Sequence, residues 1–499
     1  MTTTESRTHP AIDGIPTDLL IDGRSTPAAS GRRFDVENPA TGEILTTVAD
    51  ADADDAMVAL RAAAAHQARW ATTSPRHRSE ILYRAYQLIT DRADEFAAVM
   101  TAEMGKPLAE ARGEVTYAAE FFRWFAEEAV RIPGDATTTG DGGNRIVVTR
   151  RPVGPCVLIT PWNFPLAMGT RKIGPAIAAG CTMVFKPAEL TPLTSLLLAE
   201  VLRDAGLPDG VLNVVTTTDP ADVVGAWMSS GLARKVSFTG STEVGKLLIA
   251  QAADHVMRTS MELGGNAPFI VCDDADIDRA LDAVMVAKMR NMGQACTAAN
   301  RIFVHRSIFD EFADGLTQRM RALTIGDGAA DGTQVGPLVE AKAVAKVERL
   351  VTDAVDRGAE IRCGGIPVDG PGHFYPPTVL TGVSGDAELM RTEIFGPVAA
   401  LIPFDGDGTD ADDTVIGMAN ATPWGLVGYV CSADADRLAE IADALEVGMV
   451  GLNTGLVSNP AAPFGGVKQS GLGREGGRLG IEEFLDVKYT STPIRQRKR

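Results

Sequence analysis

The alternation of short apolar strands with helices after residue 150 most constrains how this chain can fold. Short strands joined by crossover helices build a mainly parallel, doubly wound sheet. We therefore expect an α/β protein. The predicted strands are 153–160, 182–186, 211–215 and 235–238. The helices predicted between and after them are 166–179, 192–204, about 221–228, and one that begins near 242.

A second alternating region begins at residues 267–271 and continues to about 452, with further strands predicted at 301–304 and 449–452. It indicates a second α/β domain, for which a chain of 499 residues has ample length. Periodic apolar residues predict helices ahead of the first sheet, from residue 55 onward, at 78–104 and at 108–130.

Two segments belong to neither sheet. Residues 132–149 are rich in Gly and Thr and predict a hairpin, and residues 484–491 predict a strand near the C-terminus. Strands outside the main sheets leave edges that another subunit often covers. We therefore expect a homo-oligomer, either a homodimer or a homotetramer.

Composition excludes several partners. The net charge of −18 argues against nucleic acid, whose phosphates require stripes of Lys and Arg. Residues 1–14 are polar, without the apolar stretch of a signal peptide, and are expected to form a flexible tail, and no segment predicts a membrane span. The six cysteines form no CxxC pair, so reduced thiols in the cytoplasm are expected. None of the six histidines has ligand spacing, so no metal site is predicted.

Three polar groups carry the chemistry that the sequence suggests. Cys296 lies in a polar Gly-Gln-Ala-Cys-Thr run, Glu262 precedes a Gly-Gly turn, and Asn163 lies in a rigid Pro-Trp-Asn-Phe-Pro loop. A thiol, a carboxylate and a carboxamide are the groups needed to attack a carbonyl, hold the oxyanion and activate water. Taken singly, a thiol is more often a buried hydrophobe and an isolated Asn more often caps a turn.

A nucleotide site is predicted at two strand ends. Gly240 and Ser241 follow one strand and enter a helix, whose N-terminal N–H groups can face a pyrophosphate. Lys186 and Glu189 follow another strand and can bond ribose hydroxyls, although a solvated salt bridge explains this pair equally well. The GxGxxG match at 471–476 follows a loop rather than a strand, so we reject it as a phosphate site.

These motifs resemble those of the NAD(P)-dependent aldehyde dehydrogenases, and the resemblance covers about residues 22–489. Five motifs occur in the order found in that family: Pro161-Trp162-Asn163-Phe164-Pro165, Phe238-Thr239-Gly240-Ser241, Glu262-Leu263-Gly264-Gly265, Gly293-Gln294-Ala295-Cys296 and Glu393-Ile394-Phe395-Gly396-Pro397. The resemblance extends to the succinate-semialdehyde dehydrogenase branch through Thr170-Arg171-Lys172, Met289-Arg290-Asn291 and the stretch 451–459.

The resemblance implies an aldehyde dehydrogenase-like organisation of the chain. A Rossmann-type dinucleotide-binding domain would comprise 15–131 and 151–262, and the catalytic domain would comprise 263–477. Residues 132–150 and 478–499 would form a small β oligomerisation element.

The resemblance also implies a role for each site residue. Cys296 would be the nucleophile, Asn163 an oxyanion donor and Glu262 the base that activates water. The cofactor would contact Pro161, Trp162, Lys186, Glu189, Gly240, Ser241, Leu263, Glu393 and Phe395. Some relatives carry a second cysteine two residues after the nucleophile, where this chain has Ala298, so a disulfide between these positions is excluded.

Substrate and cofactor choice depend on a few charged residues. The resemblance places Arg171, Arg290 and Ser458 at the substrate mouth, where guanidinium groups would bind a carboxylate, although either arginine could instead pair with a surface Asp or Glu. Glu189 favours NAD over NADP because a carboxylate repels a 2′-phosphate, and NADP-using relatives often have a small polar residue there.

The predicted reaction is therefore the oxidation of succinate semialdehyde, a small carboxylated aldehyde, to succinate through a thioester. Glutarate semialdehyde is the alternative substrate, because one methylene is worth only ~1–3 kcal/mol of discrimination. A cysteine hydrolase and a non-catalytic binding protein are alternatives of other classes, but a hydrolase needs a nearby base, normally His.

Overall fold

The computed structural model describes residues 10–495. The helices in this part of the chain are α1 (Ala53–Ala71), α2 (Pro75–Asp91), α3 (Ala93–Met104), α4 (Leu108–Ala129), α5 (Ala167–Ala179), α6 (Pro192–Asp204), α7 (Pro220–Ser229), α8 (Thr242–Ala253), α9 (Ile277–Met289), α10 (Phe309–Arg321), α11 (Ala341–Asp356), α12 (Thr409–Asn420), α13 (Ala435–Ala444) and α14 (Leu479–Glu482).

The strands of the same part are β1 (Leu19–Ile21), β2 (Arg24–Thr26), β3 (Arg33–Glu37), β4 (Ile44–Ala49), β5 (Asp135–Thr138), β6 (Asn144–Pro152), β7 (Cys156–Ile159), β8 (Met183–Lys186), β9 (Leu212–Val214), β10 (Lys235–Thr239), β11 (Arg258–Glu262), β12 (Ala267–Val271), β13 (Ala299–His305), β14 (Glu360–Cys363), β15 (Thr378–Thr381), β16 (Val398–Phe404), β17 (Trp424–Gly425), β18 (Val427–Cys431), β19 (Met449–Leu452), β20 (Val467–Lys468), β21 (Gly471–Leu472) and β22 (Leu485–Pro493).

The first sheet has the strand order β2-β1-β9-β8-β7-β10-β11-β21. Strands β7 to β11 run parallel, and helices cover both faces, which is why these strands are short, continuous apolar runs with every residue of β7 and β8 buried. The chain moves outward from β7 through β8 to β9 and then returns to the other side of β7 with β10. The switch point between β7 and β10 is where such sheets bind ligands. The predicted α/β class is confirmed.

The second sheet has the order β14-β15-β16-β13-β12-β18-β19 and is parallel except for β14. It follows the first directly, since only four residues separate Glu262, where β11 ends, from the start of β12. The carboxyl end of β11 therefore faces the amino ends of β12 and β13, and Cys296 lies just before β13. This junction brings Glu262 and Cys296 to one cavity.

Strands β22, β6 and β5 form a separate antiparallel sheet. Its residues are largely exposed, with Val487 66% and Tyr489 68% exposed. The segments predicted for oligomerisation thus pair with each other, and the assembly they would mediate stays a prediction. Residues 496–499 of the second segment lie outside the described residues.

Three features differ from the sequence prediction. The helix expected over 78–104 is two helices, α2 and α3, because Arg92 leaves the helical conformation at φ −101°, ψ 23°. The strands before residue 50 were not predicted, and two of them, β1 and β2, extend the first sheet. Residues 1–9 of the expected tail lie outside the described residues, but Pro10–Ile12 form a short 3-10 helix with Ile12 buried, so this part is not a free tail.

Within residues 10–495, none of the helices combines the length and the apolar character that crossing a membrane requires.

Candidate active site

Asn163, Glu262 and Cys296 line one cavity of about 230 Å³ at the junction of the two sheets. The same cavity is lined by Met168, Lys346 and several residues predicted to bind the cofactor, namely Pro161, Trp162, Gly240, Ser241, Leu263, Glu393 and Phe395. The three predicted catalytic groups therefore converge, although each comes from a different segment. The convergence is the geometry that attack on a carbonyl followed by hydrolysis requires.

Cys296 follows a strained turn. Asn291 and Met292 both have φ 54°, a left-handed conformation that non-glycine residues rarely adopt, and Gly293 follows with φ 72°. A Cβ at Gly293 would lie 2.2 Å from the carbonyl oxygen of Gly396, so only glycine fits there. Burial raises the pKa of the Cys296 thiol to about 12, while the positive charge of Arg171 opposes the shift.

Asn163 is held from both its main chain and its side chain. Its carbonyl oxygen accepts hydrogen bonds from Lys106 Nζ at 2.9 Å and Asn291 Nδ2 at 2.8 Å. Its side-chain Nδ2 donates to the carbonyl oxygen of Gln294 at 3.0 Å, which uses one of the two N–H groups and leaves the other for an oxyanion. The side-chain amide of Asn163 is therefore anchored to Gln294, which lies two residues before Cys296 in the sequence.

Glu262 ends β11 and is 3% exposed, and its Oε2 has no hydrogen-bond partner among residues 10–495. Burial raises its pKa well above the usual value, and the negative charge of Glu475 raises it further, whereas Arg171 and Lys172 oppose the shift. A carboxyl group that lines the cavity, has a raised pKa and keeps one oxygen without a hydrogen-bond partner has the features of a general base.

A second cavity of about 380 Å³ continues the first across the switch point of the sheet. The two cavities share Pro161 and Trp162, which follow β7, and Thr239 and Gly240 at the carboxyl end of β10. Helix α8 begins beside Gly240, and Ser241 caps it by accepting a hydrogen bond from the N–H of Val244 at 3.3 Å. A Cβ at Gly240 would lie 2.4 Å from the ring of Phe238, so a residue with a side chain does not fit at this position.

The continuous cleft fits a dinucleotide. An anion-favouring helix N-terminus lies at its centre, and the exposed apolar side chains of Val244 and Leu247 line the outer part, where an aromatic base would pack. Lys186 and Glu189 line the same outer part. They also form an ion pair with Nζ and Oε2 2.9 Å apart, so the salt-bridge interpretation of this pair is confirmed, and ribose binding stays a prediction.

Glu393 and Phe395 border the inner part of the cleft. Burial raises the pKa of Glu393 to about 7, and the carboxylate accepts the N–H of Gly265 at 3.4 Å. Phe395 has φ 56° and packs edge-on against Trp162, with ring centroids 5.4 Å apart. A strained backbone that presents an aromatic ring to a cavity is typical of a ligand site.

The GxGxxG match does not form a phosphate site. Gly471–Leu472 is the short edge strand β21, which runs antiparallel to β11, and no helix begins within the motif. Its rejection from the sequence is confirmed.

The chain matches the aldehyde dehydrogenase family over residues 26–490. It belongs to this family. It is similar to the succinate-semialdehyde dehydrogenase of Paenarthrobacter nicotinovorans, with 56% identity over 446 residues that cover 89% of this chain and 98% of that protein.

More distant similarity includes both predicted substrate classes. The glutarate-semialdehyde dehydrogenase of Pseudomonas putida is 47% identical over 94% of this chain and 96% of its own length. The crystal structure of succinate-semialdehyde dehydrogenase from Burkholderia pseudomallei superimposes with a TM-score of 0.94 at 46% identity, covering 98% of this chain and 100% of that one.

The predicted substrate residues of this aldehyde dehydrogenase are not equivalent. Arg171 is 1% exposed, and its Nε lies 2.5 Å from Oε2 of Glu475. Arg290 is partly exposed, donates to the hydroxyl of Ser458 at 3.3 Å and forms no ion pair within residues 10–495. Of the predicted substrate residues, Arg290 and Ser458 are therefore the more available, whereas Arg171 is paired with a carboxylate that is buried rather than at the surface.

Sequence reasoning missed Glu475, which lies beside this aldehyde dehydrogenase's site. Glu475 forms ion pairs with Arg171 and Lys172, and its Oε1 lies 2.5 Å from Lys172 Nζ. Its negative charge raises the pKa of Glu262. Although burial would raise the pKa of Glu475, Lys172 and Arg171 keep it below its usual range. Glu475 lies inside the rejected glycine motif, so no local pattern indicates its role.

Proposed function

We propose that this enzyme oxidises succinate semialdehyde to succinate with NAD(P), preferably NAD, through a thioester on Cys296. The observation that carries the proposal is the cavity at which Cys296, Glu262 and Asn163 converge beside the nucleotide cleft. The similarity to proteins named as succinate-semialdehyde dehydrogenases supports the substrate.

In the acylation step, the thiolate of Cys296 attacks the aldehyde carbon. Arg171 favours the thiolate because its positive charge lowers the thiol pKa, against the larger effect of burial. The developing oxyanion is held by the free N–H of the Asn163 amide and by the main-chain N–H of Cys296. Loss of one such donor typically costs ~10²–10³ in rate.

When bound in the cleft, the nicotinamide cofactor would supply the oxidising equivalent, as the acceptor of a hydride from the substrate carbon. Within this chain, Glu393 would bond the nicotinamide ribose and Phe395 would border the ring. Gly240 and Ser241 at the N-terminus of α8 would hold the pyrophosphate, and Pro161, Trp162 and Leu263 would shape the walls of the site.

In the deacylation step, Glu262 takes a proton from water, which then hydrolyses the thioester. The free Oε2 of Glu262 is the acceptor for that proton. The neighbouring Lys172–Glu475 pair influences the proton affinity of Glu262, because Glu475 raises the pKa of Glu262 and Lys172 lowers it.

The preference for NAD is proposed from Glu189. Its side chain is 43% exposed at the outer cleft, where the adenine ribose would lie. A carboxylate there accepts a 2′-hydroxyl and repels a 2′-phosphate. Relatives such as the Escherichia coli protein are named as NADP(+) enzymes, so the comparison of kcat/KM for the two cofactors decides the question, and a clear NADP preference would refute it.

For the substrate carboxylate, we propose Arg290 and Ser458, with Arg171 contributing charge from behind its ion pair. The chain has a net charge of −18, so an anionic substrate needs local cations. Among the described residues that line the catalytic cavity, none is a histidine, which disfavours the cysteine hydrolase.

A panel of aldehydes tests the function. Succinate semialdehyde should give the highest kcat/KM, with glutarate semialdehyde second and uncharged aldehydes of equal length far lower. Turnover of thioester or ester substrates at the same rate without cofactor would instead support the hydrolase. A higher kcat/KM for glutarate semialdehyde would reassign the substrate while leaving the chemistry unchanged.

Assembly and location are proposed from fewer features. The exposed sheet of β5, β6 and β22 supports a homodimer or homotetramer, which measurement of molar mass in solution would test. The six cysteines are free thiols, which supports the reducing cytoplasm as the compartment.

A further inference from the structure

A buried ion pair lies directly behind the proposed oxyanion site. Lys106 and Glu114 are 1% and 2% exposed and pair through Nζ and Oε2. The lysine lies in the tight connection between α3 and α4, and Glu114 lies on α4, so neither belongs to a motif noted in the sequence. Charges this deeply buried are costly unless every contact is used.

Apart from their mutual ion pair, the hydrogen bonds described for the side chains of Lys106 and Glu114 all lead to the segment that carries Asn163. Lys106 Nζ donates to the main-chain carbonyl of Asn163 at 2.9 Å and lies 4.3 Å from the centre of the Phe164 ring. Glu114 Oε1 accepts the N–H groups of Leu166 at 3.0 Å and Ala167 at 3.1 Å. The pair thus holds residues 163–167 at four points and caps α5, which lacks a side-chain cap of its own.

The same segment also supports the strained turn before Cys296. Asn291 Nδ2 donates both to the carbonyl of Asn163 and to the carbonyl of Gln294, and Glu110 on α4 accepts the N–H of Asn291 at 2.5 Å. A shift of the Asn163 carbonyl would therefore move the amide and the thiol relative to each other. Misplacement by about 1 Å can cost 10²-fold in rate.

We propose that Lys106 is a positioning residue, which together with Glu114 fixes the Asn163 amide at the oxyanion. This proposal rests on the proposed role of Asn163 as an oxyanion donor. Lys106 touches neither the substrate nor the cofactor in this arrangement. It acts through the carbonyl of Asn163 and the ring of Phe164.

The test is a double-mutant cycle on the full-length enzyme. Lys106→Met combined with Glu114→Gln removes both charges while keeping the side-chain volumes and the acceptor for α5. We expect kcat to fall about tenfold or more, with little change in KM for the cofactor, as part of the ~10²–10³ that loss of the amide itself costs. In an Asn163→Ala background, the same pair of changes should have almost no further effect on kcat.

An equal fall in kcat in both backgrounds, or no fall in either, would overturn the proposal. If Asn163→Ala by itself leaves kcat unchanged, the proposed function of Asn163 fails instead, so the two failures are distinguishable. Should the double variant not fold, Lys106→Arg, which retains the charge opposite Glu114, is taken through the same cycle with the same criterion.

Lys235→Met provides the matched control for removal of a buried lysine. Lys235 is 0% exposed at the start of β10, where it bonds Ser260 and lies 3.7 Å from Glu483. It is at the end of the strand opposite Gly240. This variant should have a lower melting temperature and a kcat within about twofold of that of the unmodified enzyme. A tenfold fall in kcat would mean that a general loss of stability explains the Lys106 result, and would overturn the proposal.

Discussion

Arg171 and Glu475 form a buried ion pair beside the catalytic cavity, with Nε and Oε2 2.5 Å apart. The pair joins the start of α5 to the loop after β21, two segments that are distant in sequence. It neutralises one of the two arginines expected to attract an anionic substrate, and it also places a carboxylate near Glu262. Substrate affinity and the protonation of the base are therefore linked through one residue.

Arg290→Ala should raise KM for succinate semialdehyde about 10–100-fold, because a charge-assisted hydrogen bond contributes about 1.5–3 kcal/mol. The KM of an uncharged aldehyde should change less than about threefold, since it makes no such bond. Steady-state kinetics on both substrates measure the difference. Arg306→Ala, which removes an exposed arginine paired with Asp405, is the control and should change neither value. Equal increases for the two substrates would rule out carboxylate binding by Arg290.

Glu475→Gln should shift the rising limb of the kcat–pH profile to lower pH. Glu262 must be deprotonated to act as a base, so activity increases as pH rises through its pKa. Burial still raises the pKa of Glu262 in this variant, but the pKa falls because the charge of Glu475 no longer adds to burial while Arg171 and Lys172 still oppose it. Glu482→Gln serves as the control, since Glu482 pairs with Arg150 elsewhere. A limb that stays in place or moves to higher pH contradicts this electrostatic account.

Glu189→Ser should change the ratio of kcat/KM for NADP over NAD by about 10–100-fold towards NADP, since a like-charge contact costs several kcal/mol. The change frees Lys186 from its partner, so the ammonium can bind a 2′-phosphate. Activity with NAD provides the internal control and should fall only modestly. If the ratio does not move, Glu189 does not face the 2′ position.

Alkylation of Cys296 by iodoacetamide in the cofactor-free enzyme should accelerate about tenfold per pH unit between pH 7 and 10. The thiolate is the reactive form, and burial raises the pKa of Cys296 to about 12, so its fraction keeps rising over this range. Arg171→Gln should slow the reaction, because it removes the charge that favours the thiolate. Labelled peptides identify the site, with Cys296→Ala as the blank. A plateau below pH 8 would be incompatible with the raised pKa.

The residues that line the cleft could be predicted from the sequence because several of them lie at the ends of predicted strands. Gly240, Ser241, Lys186 and Asn163 each follow an apolar run, and parallel strands bring their carboxyl ends to one edge of a sheet. These strands could be recognised as continuous apolar runs because helices cover both faces of the sheet, so side chains on both sides are buried. The single helix expected over residues 78–104 was wrong because only the backbone at Arg92 breaks a periodicity that continues on both sides.

By itself, the sequence determined the α/β class, the order of the motifs and which thiol, carboxylate and amide to bring together. Only the tertiary structure decided that Arg171 is paired while Arg290 is available, and that Lys106 and Glu114 support Asn163 from behind. A motif depends on residues that are neighbours in one short segment, so it can be recognised in the sequence. The partner of a buried charge is chosen by whichever distant segment packs against it, and burial makes that choice decisive because an unpaired charge in the interior is too costly to leave.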